Sequence, residues 1–317
     1  MNHTMTALKD KLQGILEYIE DKNDVIYLDY PFHHNVGDLL IYQGAIKFFA
    51  ESDVTFKLLR NAHDYSLSEL TSHITPKTTI LCHGGGNFGD IYRLHQAMRE
   101  DVVANFPNNR IIILPQTAFF SSDEALEESA KCFRKNKNVV IYSRDTRSVE
   151  VFNKFTDNVY LMPDMAHHLY GLLERSGNKK NEKLYFLRID CEVSPEQEKL
   201  NLDSSIKTLD WIDVLTGKDI FIRKVLTKLM RLSIKTNSGA LKDLVAKAWV
   251  YNTWGMTNKY SKLFSGYSEV ITSRMHGHIL SCLVDTDNIL VDNSYGKNQG
   301  YYNEWTYPIK NARLLSQ

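Results

Sequence analysis

Apolar and polar positions along the first half of the chain follow two alternating patterns. Apolar residues at helical spacing predict helices, for example over residues 6–21 and 92–105. Between such segments lie short apolar runs of strand length, at residues 25–28, 55–59, 78–82, 110–114, 139–142 and 159–162. Because strands that alternate with helices pair in parallel, this half predicts an α/β fold with a doubly wound, Rossmann-like sheet.

The second half repeats the pattern after a polar stretch at residues 175–182, which is typical of a linker between domains. Apolar runs at residues 184–188, 269–272 and 288–291 predict strands, and residues 195–262 are mostly helical in pattern. We therefore expect two Rossmann-like, doubly wound domains, residues 1–175 and 183–317, that face each other across a cleft. Ligands of such sheets bind at the carboxyl ends of the strands.

Composition narrows the range of functions. The 38 Lys and Arg residues balance 38 Asp and Glu residues, so the charge does not favour nucleic acid as a partner. No run approaches the roughly 18 apolar residues of a spanning helix, and the N-terminus has no apolar run of a secretory leader. The four scattered cysteines, and histidine pairs without acidic partners at metal-like spacing, argue against a metal site. We expect a cytoplasmic protein without a metal.

One segment departs from this charge balance. Residues 218–247 contain eight Lys or Arg residues and two Asp residues, with apolar residues interleaved. A solvated helix face is the ordinary interpretation of such a segment. The alternative is a basic amphipathic helix that rests on anionic lipid, which would place the protein peripherally at the inner face of the membrane.

Two predicted strands of the first half lead into loops that could bind a ligand. Three glycines follow the strand at residues 78–82, and free N–H groups in such a loop suit an anion or a sugar hydroxyl. A tight turn between strand and helix is the alternative. Asp38 could accept the proton of a sugar hydroxyl or could simply cap a helix. The candidate cleft residues are Asn35, Gly37, Asp38, Gly84, Gly85, Gly86, Asn87 and Asp90.

Charged residues follow the strands of the second half. Arg274 is a fixed-charge fork for a phosphate or carboxylate, and His276 can exchange a proton near neutral pH, although it could also pack under its loop. Arg188 ends a predicted strand, where it could face the cleft or form an ion pair with Asp190. The candidate anion-binding residues are Arg188, Ser273, Arg274, Lys297 and Asn298.

These motifs occur in an order that resembles the polysaccharide pyruvyl transferase family, and most closely its bacterial exopolysaccharide members. Each motif alone is weak, but the ordered set runs over nearly the whole chain. The basic segment near residues 218–250 departs from the family pattern, as does Met275, where members often have Leu. The series consists of NVGD (35–38), HGGGNFGD (83–90), LPQ (114–116), SRD (143–145), MPD (162–164), LR (187–188), SRMH (273–276) and YYNEWT (301–306).

The resemblance implies a fold like that of GT-B glycosyltransferases and an enzyme that moves the pyruvyl group of phosphoenolpyruvate onto a sugar hydroxyl pair. The product would be a pyruvate ketal on a polysaccharide or its precursor, which could be lipid-linked, and no cofactor or metal would be required. It further implies that Arg188 and Arg274 bind the donor, that His276 protonates it, and that Asp38 and the glycine loop line the acceptor side. The general base stays open among Asp38, Asp90 and Asp164.

Two other functions fit the same sequence. A GT-B-type glycosyltransferase with a nucleotide-sugar donor would share the fold, but it would need a carboxylate for the ribose, and Glu269 is the one nearby candidate. A non-catalytic partner in a polysaccharide assembly is disfavoured by the intact set of Arg188, Arg274 and His276.

Overall fold

The computed structural model describes residues 2–190, 193–203, 205–293 and 296–315. Its first half is built on a seven-stranded sheet whose pairings are parallel. The order across the sheet is β2-β1-β3-β5-β6-β7, and β4 pairs with the second half of β5. The strands are β1 (Val25–Leu28), β2 (Phe56–Arg60), β3 (Thr79–Cys82), β4 (Gly85–Gly89), β5 (Arg110–Phe119), β6 (Val139–Ser143) and β7 (Val159–Leu161).

Helices cover both faces of this sheet. Successive residues of β1 alternate between two apolar clusters, with Tyr27 in one and Ile26 in the other, because neighbouring side chains of a strand point to opposite faces. The helix expected over residues 6–21 ends earlier and continues as a 3₁₀ turn, Leu12–Tyr18, which contains the poor helix former Gly14. The helices are α1 (His3–Lys11), α2 (Val36–Glu51), α3 (Leu67–His73), α4 (Arg93–Asn105), α5 (Asp123–Phe133) and α6 (Thr146–Phe152).

The second half is built on a five-stranded sheet, again with parallel pairings, in the order β12-β11-β10-β8-β9. Its strands are β8 (Lys183–Phe186), β9 (Thr208–Leu209), β10 (Glu269–Thr272), β11 (Asp287–Leu290) and β12 (Ala312–Leu314). Its helices are α7 (Pro195–Glu198), α8 (Gly217–Lys235), α9 (Gly239–Ser265), α10 (Met275–Leu283) and α11 (Lys297–Tyr301). The predicted α/β class with parallel sheets is confirmed.

The two halves pack against each other through α9 and α2. The Gln43 side chain donates hydrogen bonds to the carbonyl of Val250 (2.8 Å) and the hydroxyl of Thr253 (2.7 Å). The indole of Trp249 donates to the carbonyl of Pro31 (2.7 Å). One apolar cluster includes side chains of both halves, so the core is continuous between the sheets. The division into domains at residues 175 and 183 stays a prediction.

None of the helices in the described ranges combines the length and the apolar character that crossing a bilayer requires.

Candidate active site

A cavity of about 330 Å³ opens where the carboxyl ends of strands from both sheets meet. Part of its lining follows strands directly, as Asp29 follows β1, Arg144 follows β6 and Arg274 lies just after β10. Parallel sheets bind their ligands at this position. Of the residues predicted from the sequence, those that line the cavity are Asn35, Asp38, Gly84, Gly86, Asn87, Arg188, Arg274, His276, Lys297 and Asn298.

His276 reaches the cavity from the first turn of α10 and is held by a buried carboxylate. Its Nε2 lies 3.2 Å from Oδ2 of Asp164, which also accepts a 2.8 Å hydrogen bond from Nη1 of Arg144. Burial alone would raise the pKa of Asp164, but His276 and Arg144 hold it well below its usual value. Asp164 is therefore a carboxylate whose charge can stabilise a positive charge on the His276 ring.

A second group of the same composition contributes Asp29 and His95 to the lining. Asp29 is buried and accepts a 2.7 Å hydrogen bond from Nη2 of the buried Arg99, and its Oδ1 lies 2.5 Å from Nδ1 of His95. Burial alone would raise the pKa of Asp29, but Arg99 and His95 keep it below the usual value. Asp29 also has a φ of +69°, a left-handed conformation that non-glycine residues adopt rarely and often at functional sites.

Helix α2 begins at the cavity. Asn35 caps it, because its side-chain oxygen accepts the N–H of Gly37 (3.1 Å), while its amide group donates to Asp38 (2.9 Å). The alternative in which Asp38 caps the helix is therefore wrong, and its partly exposed carboxylate faces the cavity from the first turn. Gly37 does not line the cavity, but a β-carbon at this position would lie 2.8 Å from Nδ1 of His276. Glycine thus lets His276 lie against the helix.

The glycine loop contains two kinds of glycine. Gly84 and Gly85 are needed by the backbone itself, since a β-carbon on Gly84 would lie 2.6 Å from the carbonyl oxygen of Pro115 and Gly85 has a φ of +120°. Gly86 instead faces side chains. A β-carbon there would lie 3.1 Å from Nη2 of Arg144 and 3.4 Å from Nζ of Lys297. Glycine at position 86 therefore keeps space open beside two cations.

His83 lies in the wall of the cavity and is buried. Its Nδ1 is 2.6 Å from the hydroxyl of Tyr27. Burial lowers the pKa of His83 to about 4 and raises that of Tyr27 well above its usual value, so both groups are neutral at neutral pH. A Tyr27 hydroxyl that donates to Nδ1 leaves the ring proton on Nε2. No described residue pairs with Nε2, which is itself buried.

Arg188 and Arg274 share a carboxylate. Nε of Arg188 donates to Oδ1 of Asp190 (2.8 Å), and Nη1 of Arg274 donates to Oδ2 (2.7 Å). The ion pair considered for Arg188 is therefore present, and Arg188 lines the cavity as well. Arg274 also donates from Nε (2.9 Å) and Nη2 to the buried Asp210. Two carboxylates thus fix the orientation of both guanidinium groups.

Two further predicted residues support the two loops, after β8 and after β10, that carry these arginines. The hydroxyl of Ser273 accepts the N–H of Arg188 (3.0 Å), and Ser273 itself does not line the cavity. Asn298 lines the cavity and donates from its amide to the carbonyls of Ser273 and Val291, both at 2.9 Å. Ser273 therefore positions the backbone of Arg188, and its contact with a ligand stays a prediction.

Asp90 and Glu269, two carboxylates considered from the sequence, are not among the described residues of the cavity lining. Asp90 accepts hydrogen bonds from the N–H and the hydroxyl of Ser121, and it is not among the described residues of the lining. Glu269 is the first residue of β10, at the end of the strand opposite the cavity. It forms ion pairs with Lys183 and Arg313, each at 2.7 Å.

The structure adds residues that sequence reasoning missed. Asp29 and Arg144 directly follow strands, so the strand-end rule that selected Arg188 would have found them. His83 belongs to the glycine motif, but nothing in the sequence around it indicated that its Nε2 would have no partner among the described residues. His95 and Arg99 lie within α4, where only the tertiary structure brings them to Asp29.

The known proteins to which this chain is similar are consistent with the residues that line this site. The chain matches the family described as polysaccharide pyruvyl transferase over residues 35–295. It is 35% identical over 315 residues to EpsO of Bacillus subtilis (strain 168), which is described as a candidate pyruvyl transferase, and the match covers 99% of this chain and 95% of that protein. Pyruvyl transferase 1 of Schizosaccharomyces pombe (strain 972 / ATCC 24843) is 29% identical over 313 residues, which cover 92% of this chain and 71% of that protein.

The fold also has a counterpart among solved structures. It is similar to the crystal structure of an uncharacterized protein from Klebsiella pneumoniae, with a TM-score of 0.60, 18% identity, and coverage of 98% of this chain and 99% of that chain. At this identity the likeness concerns the fold alone. The family match, in contrast, spans most of the chain and includes the glycine loop, Arg144 and His276. The chain therefore belongs to the polysaccharide pyruvyl transferase family and is an enzyme of that class.

Proposed function

We propose that the enzyme transfers the pyruvyl group of phosphoenolpyruvate to two hydroxyl groups of a saccharide, forming a cyclic ketal and releasing phosphate. One observation carries the proposal: a single cavity is lined by several cationic side chains and by two histidines that are each bound to a buried carboxylate. A small donor with a carboxylate and a phosphate needs several fixed cations, and ketal formation needs both a proton donor and a proton acceptor. The cationic side chains are Arg144, Arg188, Arg274 and Lys297.

The donor would bind between the glycine loop and the arginines of the second half. Gly86 leaves space next to Arg144 and Lys297, which suits a phosphate group. Arg188 and Arg274 are held side by side by Asp190, and their planar guanidinium groups can bind a carboxylate or phosphate at two points. Because these groups are fixed before the donor arrives, little reorganisation is needed as charge develops on the departing phosphate.

His276 is proposed as the acid that protonates the donor. A proton added to C3 of phosphoenolpyruvate makes C2 electrophilic, and the carboxylate of Asp164 stabilises the charged form of the ring from which this proton comes. Such proton transfer contributes about 100- to 10,000-fold to a rate.

The proton balance requires an acceptor as well. The first sugar hydroxyl forms a bond to C2 and loses its proton, the bond from C2 to the phosphate oxygen breaks, and the second hydroxyl closes the ketal and loses a second proton. The two hydroxyl groups release two protons in total. One balances the proton added to C3 and the departing phosphate takes up the other, so one phosphoenolpyruvate and one diol give one ketal and one hydrogen phosphate. Asp38 and the His95–Asp29 pair lie in the lining and are the candidates to accept the hydroxyl protons.

The glycosyltransferase alternative finds less support. Its ribose carboxylate would be Glu269, which is engaged by Lys183 and Arg313 at the opposite end of β10. The acceptor is proposed to be a saccharide, free or lipid-linked, on the side of the cavity formed by α2 and the glycine loop.

Isothermal titration tests the donor. The wild-type protein is titrated with phosphoenolpyruvate and with a panel of nucleotide-sugars, next to the double variant His276→Ala/Arg274→Ala. Asp90→Asn is the matched control, because Asp90 lies outside the described lining. We expect phosphoenolpyruvate to bind to the wild type and the control but not to the double variant. Binding of a nucleotide-sugar without binding of phosphoenolpyruvate would assign the cavity to glycosyl transfer.

A further inference from the structure

Helix α8 has an exposed side that combines apolar and basic residues. Phe221, Val225 and Leu232 are 65%, 38% and 48% exposed. Their spacing of four and seven residues places them close to one line along the helix. Exposed Lys and Arg residues flank this line, and we call the whole set the α8 face: Lys218, Phe221, Lys224, Val225, Lys228, Arg231, Leu232 and Lys235.

The opposite side of α8 is packed onto the protein. Leu226, Met230 and Ser233 are buried there. All residues of α8 are described, and the one acidic residue among them, Asp219, accepts a 2.6 Å hydrogen bond from Lys259 of α9. The α8 face therefore carries five positive charges and no negative charge of its own helix.

The beginning of α8 lies close to the cavity. Trp211, which lines the cavity, belongs to the 3₁₀ turn Trp211–Val214 just before the helix. His34 lies near Asp219 and Arg223 of α8, and its neighbour His33 lines the cavity. Whatever binds the α8 face is thus brought near the opening of the site.

We infer that the α8 face is a docking surface for an anionic lipid bilayer. A helix that presents large apolar side chains between lysines and arginines lies in the plane of the lipid headgroups, with the apolar side chains inserted and the cations near the lipid phosphates. Such docking holds the cavity at the membrane surface. The idea that docking brings the cavity to a lipid-linked saccharide rests on the proposed function. The docking itself does not depend on that function.

The charges of the α8 face favour an anionic bilayer over a second copy of the chain as the partner of this surface. A two-fold interface places the same surface on both partners. Five positive charges would then face five others without carboxylates on the same helix to pair with, which opposes association. An anionic bilayer instead offers both the negative charge and the apolar interior.

Co-sedimentation with vesicles tests the inference without donor or acceptor, so its result is independent of the proposed reaction. The wild type should pellet with phosphatidylcholine vesicles that contain phosphatidylglycerol, should stay in solution with phosphatidylcholine alone, and should be released by salt. Lys224→Glu/Lys228→Glu and Phe221→Ser/Leu232→Ser should each lower the partition coefficient by about tenfold or more.

The matched control is Lys135→Glu/Lys137→Glu. It makes the same change in net charge at two exposed lysines in the loop before β6, at the opposite end of that strand from the cavity. It should bind as the wild type does, and melting curves should show all three variants folded. Each of three results overturns the inference. The wild type does not pellet with anionic vesicles, it binds neutral vesicles equally well, or the control variant loses as much vesicle binding as the α8 variants do. The inference is likewise overturned if size-exclusion chromatography shows a dimer that the Phe221 variant dissociates, in a protein that does not pellet.

Discussion

Two groups, each made of an Arg, an Asp and a His, bring a histidine to the same cavity but are assembled differently. Asp29, Arg99 and His95 all belong to the first sheet and its helix α4. In the other group, Asp164 and Arg144 follow strands of the first sheet, whereas His276 comes from α10 of the second half. The geometry of His95 is thus fixed within one half, and the geometry of His276 depends on how the two halves pack.

The two histidines also use different ring nitrogens. His95 contacts its carboxylate through Nδ1, which leaves Nε2 as the proton acceptor, as in other histidine bases oriented by an aspartate. His276 contacts Asp164 through Nε2 and has Nδ1 on the side of Gly37. The two rings therefore contact their carboxylates through chemically distinct nitrogens.

The largest expected effect comes from removal of either ring. His276→Ala should lower phosphate release from phosphoenolpyruvate in the presence of acceptor by about 100- to 10,000-fold, because the proton donor is lost. His95→Ala should also slow transfer, with donor binding retained. Stopped assays of phosphate release, with circular dichroism as the check on folding, measure both. A wild-type rate in His95→Ala would make the group around Asp29 purely structural.

The buried carboxylates come next. Asp29→Asn or Asp164→Asn leaves a buried arginine without its counter-charge, which should lower the free energy of unfolding by about 3–5 kcal/mol. Asp157→Asn is the control, since its ion pair with Arg134 is at the surface with Asp157 85% exposed, and little or no change in stability is expected. Urea unfolding compares the three. Equal effects at buried and exposed sites would contradict the importance assigned to burial.

Gly37→Ala separates the two groups. Its β-carbon would lie 2.8 Å from Nδ1 of His276, so this ring must shift while His95 is untouched. We expect the turnover number to fall by up to about 100-fold, the cost of a displacement near 1 Å, with the fold retained. Gly255→Ala, in α9 with no atom near its new β-carbon, should leave turnover unchanged. Unchanged turnover in Gly37→Ala would show that the position of His276 is not critical.

A pH dependence of stability arises from a buried histidine and from neither carboxylate. The pKa of His83 is lowered to about 4, so the folded state takes up this proton less readily than the unfolded state, where the pKa is about 6.5. The contribution of the neutral His83 to the free energy of unfolding is therefore fully present above about pH 6.5. It decreases by about 1.4 kcal/mol per pH unit as the pH falls toward 4. The lowered pKa values of Asp29 and Asp164 act only below about pH 4.

His83→Gln should flatten this slope by one proton equivalent, measured by urea unfolding between about pH 7 and about pH 5. His167 and His278, whose pKa values burial also lowers to about 4, should maintain the remaining slope. An unchanged slope in the variant would contradict the burial of a neutral His83.

Local patterns in the sequence were sufficient to predict the α/β class and most strand ends. A residue that follows a buried strand of a parallel sheet reaches the same edge whatever the neighbouring strand is, so Arg188, Arg274 and the glycine loop could be predicted to lie together. The same rule covers Arg144 and Asp29. The rule fails for Asp90, which follows β4 but accepts hydrogen bonds from Ser121 outside the described lining.

Sequence patterns were therefore enough to predict the strands, the strand-end residues and the basic, apolar α8. Which side chains meet depends instead on the three-dimensional fold: His276 with Asp164, His95 with Asp29, and Arg188 with Arg274 through Asp190. The difference comes from the distance along the chain over which each feature is set. The spacing of apolar residues and the capping of helices depend on residues a few positions apart. An ion pair such as His276–Asp164 depends on the strand order and on the packing of the two halves, and both of these are set by residues far apart in the chain.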